Sequence, residues 1–158
     1  DRAYASALGS PLRSFAGACA VVLESSTHAA ARGAHPICIV DSTHWAWNPR
    51  SRMVRAMADI IRATASELVI GTGVGAFLER IERVAARRTR SHIDIEDASR
   101  IGEHFATTPL LVLMEALRSG TIPVGGHAAL VCGDWLGSCI GVRIARGPRE
   151  VRYKEIAT

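Results

Sequence analysis

The sequence predicts an α/β layered domain. Three observations carry this. Short apolar runs rich in Val and Ile alternate with segments of helical period. A glycine-rich turn joins one such run to a helix. Two further apolar runs joined by a tight turn close the pattern. Residues 1–14 are an irregular, polar lead-in. The run Ala18–Glu24 (ACAVVLE) reads as a buried strand, and Ser25–Ala34 as a small-residue connection closing at Gly33. Pro36–Val40 reads as a second strand, followed by an Asp41–Pro49 loop that holds His44, Trp45 and Trp47.

Ser51–Thr64 has helical period, with Met53, Met57, Ile60, Ile61 and Thr64 on one face and Arg52, Arg55, Asp59 and Arg62 elsewhere. Glu67–Ile70 is strand-like and runs into Gly71-Thr72-Gly73-Val74-Gly75. A second helix reaches about Arg88. Its inward residues are Phe77, Leu78, Ile81, Val84 and Ala85, and its charged face is Glu79, Arg80, Glu82, Arg83 and Arg87. His92–Ile95 is a short strand, and Gly102-Glu103-His104 a turn. Thr107 or Thr108 caps a third helix with Pro109 in its first turn. That helix is apolar nearly all round, which predicts burial on more than one side, and Gly120 ends it. Ala128–Cys132 and Ser138–Ala145 are two strands joined at Asp134-Trp135-Leu136-Gly137, and 147–158 is a tail. The whole of 1–158 reads as one domain without repeats.

Composition narrows the class. At 158 residues and 48% hydrophobic the chain can bury a core and is not a disordered segment. No apolar run is long enough to span a bilayer and no signal peptide is evident, so a cytoplasmic protein is expected. The chain begins at Asp1 rather than Met, as a processed product or a piece of a longer gene product would. Cys19, Cys38, Cys132 and Cys139 form no C-x-x-C pair and read as buried thiols in a reducing compartment. The net charge of +4 comes almost wholly from arginine, Lys154 being the sole lysine. It suits an acidic partner. No basic patch interleaved with aromatics points to nucleic acid. His28, His35, His44, His92 and His127 lack metal-ligand spacing, so no metal is expected.

Three stretches resemble one family. SFAGACAVVLESSTHAAARGA is similar to the β-ketoacyl synthase segment in which a small-residue strand ends in V-L-E before A-R-G-A. MEALRSGTIPVGGHAALVCGDWLGSCIGVRIAR resembles the C-terminal end of type III ketoacyl synthases. Between them, ELVIGTGVGAFLERI occupies the place of the strand and turn that carry that family's catalytic His. The resemblance spans about residues 14–146 and implies the C-terminal half of a thiolase-like layered αβαβα fold. In that fold the nucleophilic Cys belongs to the other half.

The resemblance also implies site residues. The first helper His falls at Thr72 in the type III pattern and at Ile70 in the elongating pattern, and neither is His. The second helper falls at Glu103 without gaps, or at His104 after a one-residue shift. His104 would donate a hydrogen bond to a thioester oxygen, and Glu103 would orient it or act as a base. The plainer readings are a helix-start His, a first-turn acid and, at Thr72, a turn residue or helix cap. Gly133 and Gly137 are the oxyanion-loop candidates, crowded by Asp134 and Trp135. His44, Trp45, Trp47 and Trp135 are candidates for lining an acyl tunnel.

No cysteine stands at a strand-to-helix elbow, so a condensing reaction would take its nucleophile from another chain or a missing half. The resemblance therefore implies a chain-length-factor-like member of a heteromer. It would pair with a complementary ketosynthase chain and an acyl carrier protein, in polyketide or fatty acid biosynthesis. Acyl-CoA or a phosphopantetheinyl carrier would be substrate, with no further cofactor, nucleic acid or membrane. A second expectation is an acyltransferase half in which His104 assists a partner's nucleophile. A third, of another class, rests on Gly71–Ala76: these residues fit G-x-G-x-x-A between a strand and a helix, with Asp94 placed 23 residues after Gly71, as in nucleotide-binding modules.

Overall fold

The computed structural model describes residues 19–73, 75–94, 107–134 and 136–147. Five strands form one mixed sheet: β1 Cys38–Trp47, β2 Leu68–Gly71, β3 His92–Asp94, β4 His127–Gly133 and β5 Ser138–Arg146. Their spatial order is β1-β5-β4-β2-β3. β5 is antiparallel to both neighbours, whereas β4, β2 and β3 are mutually parallel, so β5 alone runs against the rest. Among the described residues there are four α-helices, α1 Ser26–Ala31, α2 Met53–Thr64, α3 Ala76–Thr89 and α4 Thr108–Ser119, and a 3-10 turn at Arg50–Arg52. None of them is long and apolar enough to cross a membrane.

The helices divide between two faces. α2 and α3 cover one, where Met53, Met57, Ile60, Ile61, Leu78, Ile81 and Ala85 pack on Val69, Ala129, Val131 and Cys139. α4 lies on the other, with Val112, Ala116 and Leu117 against Ile70, Ala128, Leu130 and Ile144. α2 follows directly from its apolar stripe, and Arg55, Asp59 and Arg62 stand in solvent. It approaches β5 closely because Gly141 has no side chain: a Cβ there would overlap the Ile60 side chain.

The first strand expectation fails. Of the run 18–24, residues 19–24 are described, and they form no strand. Val22 and Leu23 are 88% and 81% exposed. Apolar content announces a need for burial but not a partner strand, and here both neighbours of β5 are taken by other segments. Ser25–Ala34 is not merely a connection, since Ser25 accepts from the His28 N–H at 3.1 Å and caps α1.

The Asp41–Pro49 loop is a second correction. Residues through Trp47 belong to β1, paired antiparallel with β5 from Cys38↔Arg146 to Trp47↔Ser138. An irregularity between Val40 and Ser42 resets the alternation, so that Ser42, His44 and Ala46 turn inward and Thr43, Trp45 and Trp47 outward. The third correction concerns α4. Thr107 precedes it without a capping side-chain bond, Pro109 sits in its first turn and Gly120 closes it at φ +81°. Only one stripe is buried, and Leu110, Leu111, Leu113 and Met114 remain half-buried rather than enclosed.

Two glycines with different surroundings test this packing. Gly141→Ala drives a Cβ into Ile60 and is expected to cost roughly 1–3 kcal/mol in urea denaturation. At Gly133 a Cβ would meet the Cε ends of Met53 and Met57 at 3.3 and 3.4 Å and Leu78 Cδ2 at an ordinary 3.7 Å. These tips can move, so Gly133→Ala is expected to cost less than about 1 kcal/mol.

Candidate functional site

The parallel strands β2 and β4 end beside each other, and α3 begins there. In open α/β sheets the carboxyl ends of the strands are the usual place for chemistry. β2 delivers Gly71-Thr72-Gly73 to this edge, and β4 delivers Gly133 and Asp134. The Arg50 guanidinium stacks 5.1 Å over the Phe77 ring, tying the approach to α2 to the first turn of α3.

Thr72 is buried, and both of its donors face inward. Its N–H and its hydroxyl each bond to the Val131 carbonyl, at 2.9 and 3.0 Å. The side chain therefore stitches β2 to β4 and presents no donor to a bound group. Next to it, Gly73 donates its N–H to Glu82 Oε1 at 2.9 Å. A phosphate-binding turn would instead aim such amides outward. With both amides committed inside, the geometry does not favour the nucleotide reading of Gly71–Ala76.

Glu82 is the residue the charge pattern misplaces. It was expected on the outer face of α3 and is fully buried. The signal was present: Glu82 lies four residues after Leu78 and three or four before Ala85 and Ala86, within the buried stripe. Its Oε2 is also buried and has no hydrogen-bond partner among the described residues. Burial pushes its pKa up to about 8, against the pull of the Gly73 and Thr72 amides. At neutral pH it is a protonated acid.

The oxyanion-loop candidates differ from each other. The N–H groups of Leu136, Gly137 and Ser138 all converge on Asp134 Oδ1, at 2.8, 2.8 and 2.9 Å. Gly137, at φ +104°, thus donates to the chain's own carboxylate. Gly133 ends β4 opposite Cys139 and is buried beneath α2. The tunnel candidates are not gathered together. His44 points to the α2 side with Nε2 buried and without a hydrogen-bond partner among the described residues, while Trp45 and Trp47 stand on the opposite face, 67% and 59% exposed. His104, Glu103 and Trp135 lie outside the described residues. Among the thiols, Cys139 is buried and its pKa is pushed up to about 11 by burial; Cys38 is also raised by burial. Neither suits a thiolate nucleophile.

Solved structures carry the same architecture. One is a type II polyketide-synthase ketosynthase in complex with its acyl carrier protein (AntDE:AntF). It is 14% identical with a TM-score of 0.58, the match covering 78% of this chain and 38% of that one. The fold is thiolase-like. The 3-oxoacyl-(acyl carrier protein) synthase III of Pseudomonas aeruginosa PAO1 is 15% identical at a TM-score of 0.54, over 72% of this chain and 45% of that one. The ishigamide ketosynthase/chain length factor is 14% identical at 0.54, over 72% and 36%. The thiolase-like chain therefore spans less than half the length of each. No family model matches the chain, and no curated protein matches it.

The buried acid gives a signed expectation for stability. The folded chain keeps the Glu82 proton up to about pH 8, whereas an unfolded chain releases it near 4.5. Between these values the folded state binds more protons, so stability falls as pH rises, with this group contributing about 1 kcal/mol per pH unit. Glu82→Gln should flatten the dependence in urea melts taken at pH 5, 6.5 and 8.

Proposed function

We propose that this chain is the C-terminal half of a ketosynthase-like protein in polyketide or fatty acid biosynthesis, paired with a complementary half or chain that carries the nucleophile. The observation that carries the reading is a sheet face that the described residues leave partly uncovered. Trp45 pairs with Ile140, which pairs with Cys132, while Thr43, Val142 and Leu130 form the next row. Leu130 and Val142 pack in the α4 cluster, so Trp45 and Ile140 share the α4 side of the sheet. α4 covers β2, β4 and the Val142–Ile144 part of β5, and Val40, Trp45, Trp47 and Ile140 stay exposed. α4 also keeps Leu110, Leu111, Leu113 and Met114 half-buried, and Cys19 touches Met114 at 3.6 Å. A thiolase-like protein of full length has more than twice the matched chain available, which supports a second half as the occupant. An interface of standard size would bury about 800 Å² per partner.

A chain-length-factor-like role fits the site better than an independent enzyme. Thr72, at the first helper position, is bonded to Val131; the Gly137 amide is held by Asp134; and the Cys38 and Cys139 thiols have raised pKa values. The substrate would be an acyl thioester on a carrier protein, reached through the complementary chain, with no other cofactor.

Native mass spectrometry of the purified protein tests the pairing. A second polypeptide in equal amount is expected, and a stable lone chain overturns the reading. Trp45→Arg combined with Trp47→Arg should weaken pairing by roughly 30-fold or more, as for tryptophans at the centre of an interface. Circular dichroism should be unchanged, because both rings face outward. In the assembled protein, turnover that survives His104→Ala identifies a non-catalytic role. Turnover lost with assembly intact makes His104 a helper to the partner's nucleophile.

A further inference from the structure

We propose that residues 19–24 (CAVVLE) are a strand donated to the complementary half, where they pair with an open sheet edge. This rests on the pairing proposed above and names its mode of attachment. The run is apolar from Cys19 to Leu23 with no alternating polar residue, the composition of a strand covered on both faces. Here Val21, Val22 and Leu23 are all exposed. No backbone hydrogen bond joins residues 19–24 to any other described residue. Unpaired N–H and C=O groups beside exposed β-branched side chains are a template for another strand. Neighbouring residues of a strand point to opposite faces, so Val22 and Leu23 together call for a recipient sheet that is apolar above and below.

The run is anchored at both ends, which lowers the cost of ordering it on a partner. Glu24 accepts from Arg32 Nε at 3.0 Å and meets His28 Nδ1 at 2.8 Å, and Ser25 caps α1 directly after it. At the other end the Cys19 thiol touches Met114 of α4, the helix that packs on the sheet face carrying Trp45 and Ile140. The chain's own sheet is a poor recipient. β1 is its long outer strand, but its pairing with β5 is irregular between Val40 and Ser42, where Asp41 stands; irregularity and charge both guard an edge. β3, at the opposite edge, offers three described residues, His92–Asp94. A second copy would present the same two edges. A sheet outside this chain is therefore the recipient. The thiolase-like structures matched above have more than half their length beyond the part this chain covers, which is room for one.

The test reads backbone amides in the protein as purified. Native mass spectrometry gives its composition, and hydrogen exchange of the same sample gives the protection of residues 19–24. The expected result is a two-part assembly in which these amides exchange roughly 100-fold or more slowly than in an unstructured peptide. Val21→Pro and Val22→Pro each remove one N–H, and successive N–H groups of a strand point to opposite edges. One of the two should weaken pairing about 10–100-fold, as when a buried acceptor loses its donor, and the other by less than about threefold. Circular dichroism should be unchanged in both, because the run lies outside the two core clusters. A two-part assembly with residues 19–24 unprotected overturns the donated strand and leaves the ketosynthase-like reading in place. So do equal losses from the two prolines, or none from either. Protection in a homodimer puts the strand in a second copy and overturns the proposal. A stable lone chain overturns the pairing itself, and the donated strand with it.

Discussion

A sheet built around parallel strands has to be covered on both faces, because its strands are apolar on both. Among the described residues, α2 and α3 cover one face and α4 packs on the other. The antiparallel insertion of β5 sharpens the imbalance. It widens the sheet toward β1, beyond the reach of α4, and leaves tryptophans and isoleucine where a core would ordinarily continue. Most of the molecule's open questions of function lie on that surface. The covered face is closely packed, and Gly141 lets α2 press onto β5 without an intervening side chain.

At the strand ends the arrangement is directed inward. Thr72, Gly73 and Gly137 are all positioned where amides and hydroxyls could meet a bound group. Each is instead satisfied by the chain: Thr72 by Val131, Gly73 by Glu82 and Gly137 by Asp134. Buried polar groups are costly unless paired, and these internal pairs stabilise an edge that would otherwise carry several unmet donors. Among the described residues, the strand-end groups Thr72, Gly73 and Gly137 hold the loop geometry by internal bonds. Glu82 is only half paired, with Oε1 bonded to Gly73 and Oε2 without a hydrogen-bond partner among the described residues.

Local pattern accounts for much of this. The helices over Met53–Thr64, Ala76–Thr89 and Thr108–Ser119 follow from apolar spacing, from Pro109 and from Gly120, and the closing strands follow from their apolar runs. The resemblance of Glu67–Ile81 and Met114–Arg146 to ketosynthase segments anticipated the layered architecture seen in structures with identity as low as 14%. β1 was only half legible. Its polar alternation, Ser42, His44 and Ala46 against Thr43, Trp45 and Trp47, looks like a loop until β5 lies beside it. The exposed Val22 and Leu23 mislead in the opposite direction, for an apolar run carries no record of whether a strand edge is open to it.

The sequence by itself determined the three longer helices, where the glycine-rich turn falls and that Thr72 follows Gly71 where the resemblance would look for a His. These depend on spacing and residue type within a few turns of chain. Tertiary structure alone decided that Glu82 is an interior acid, that Thr72 donates to Val131, and that the two tryptophans face away from His44. Each of these depends on a partner far along the chain or on which face of a strand meets a helix. A carboxylate in a helix is ordinarily read as solvent-facing because its charge resists burial. Packing placed this one under a turn whose glycine makes room for it, and burial there removes the charge that made it look external.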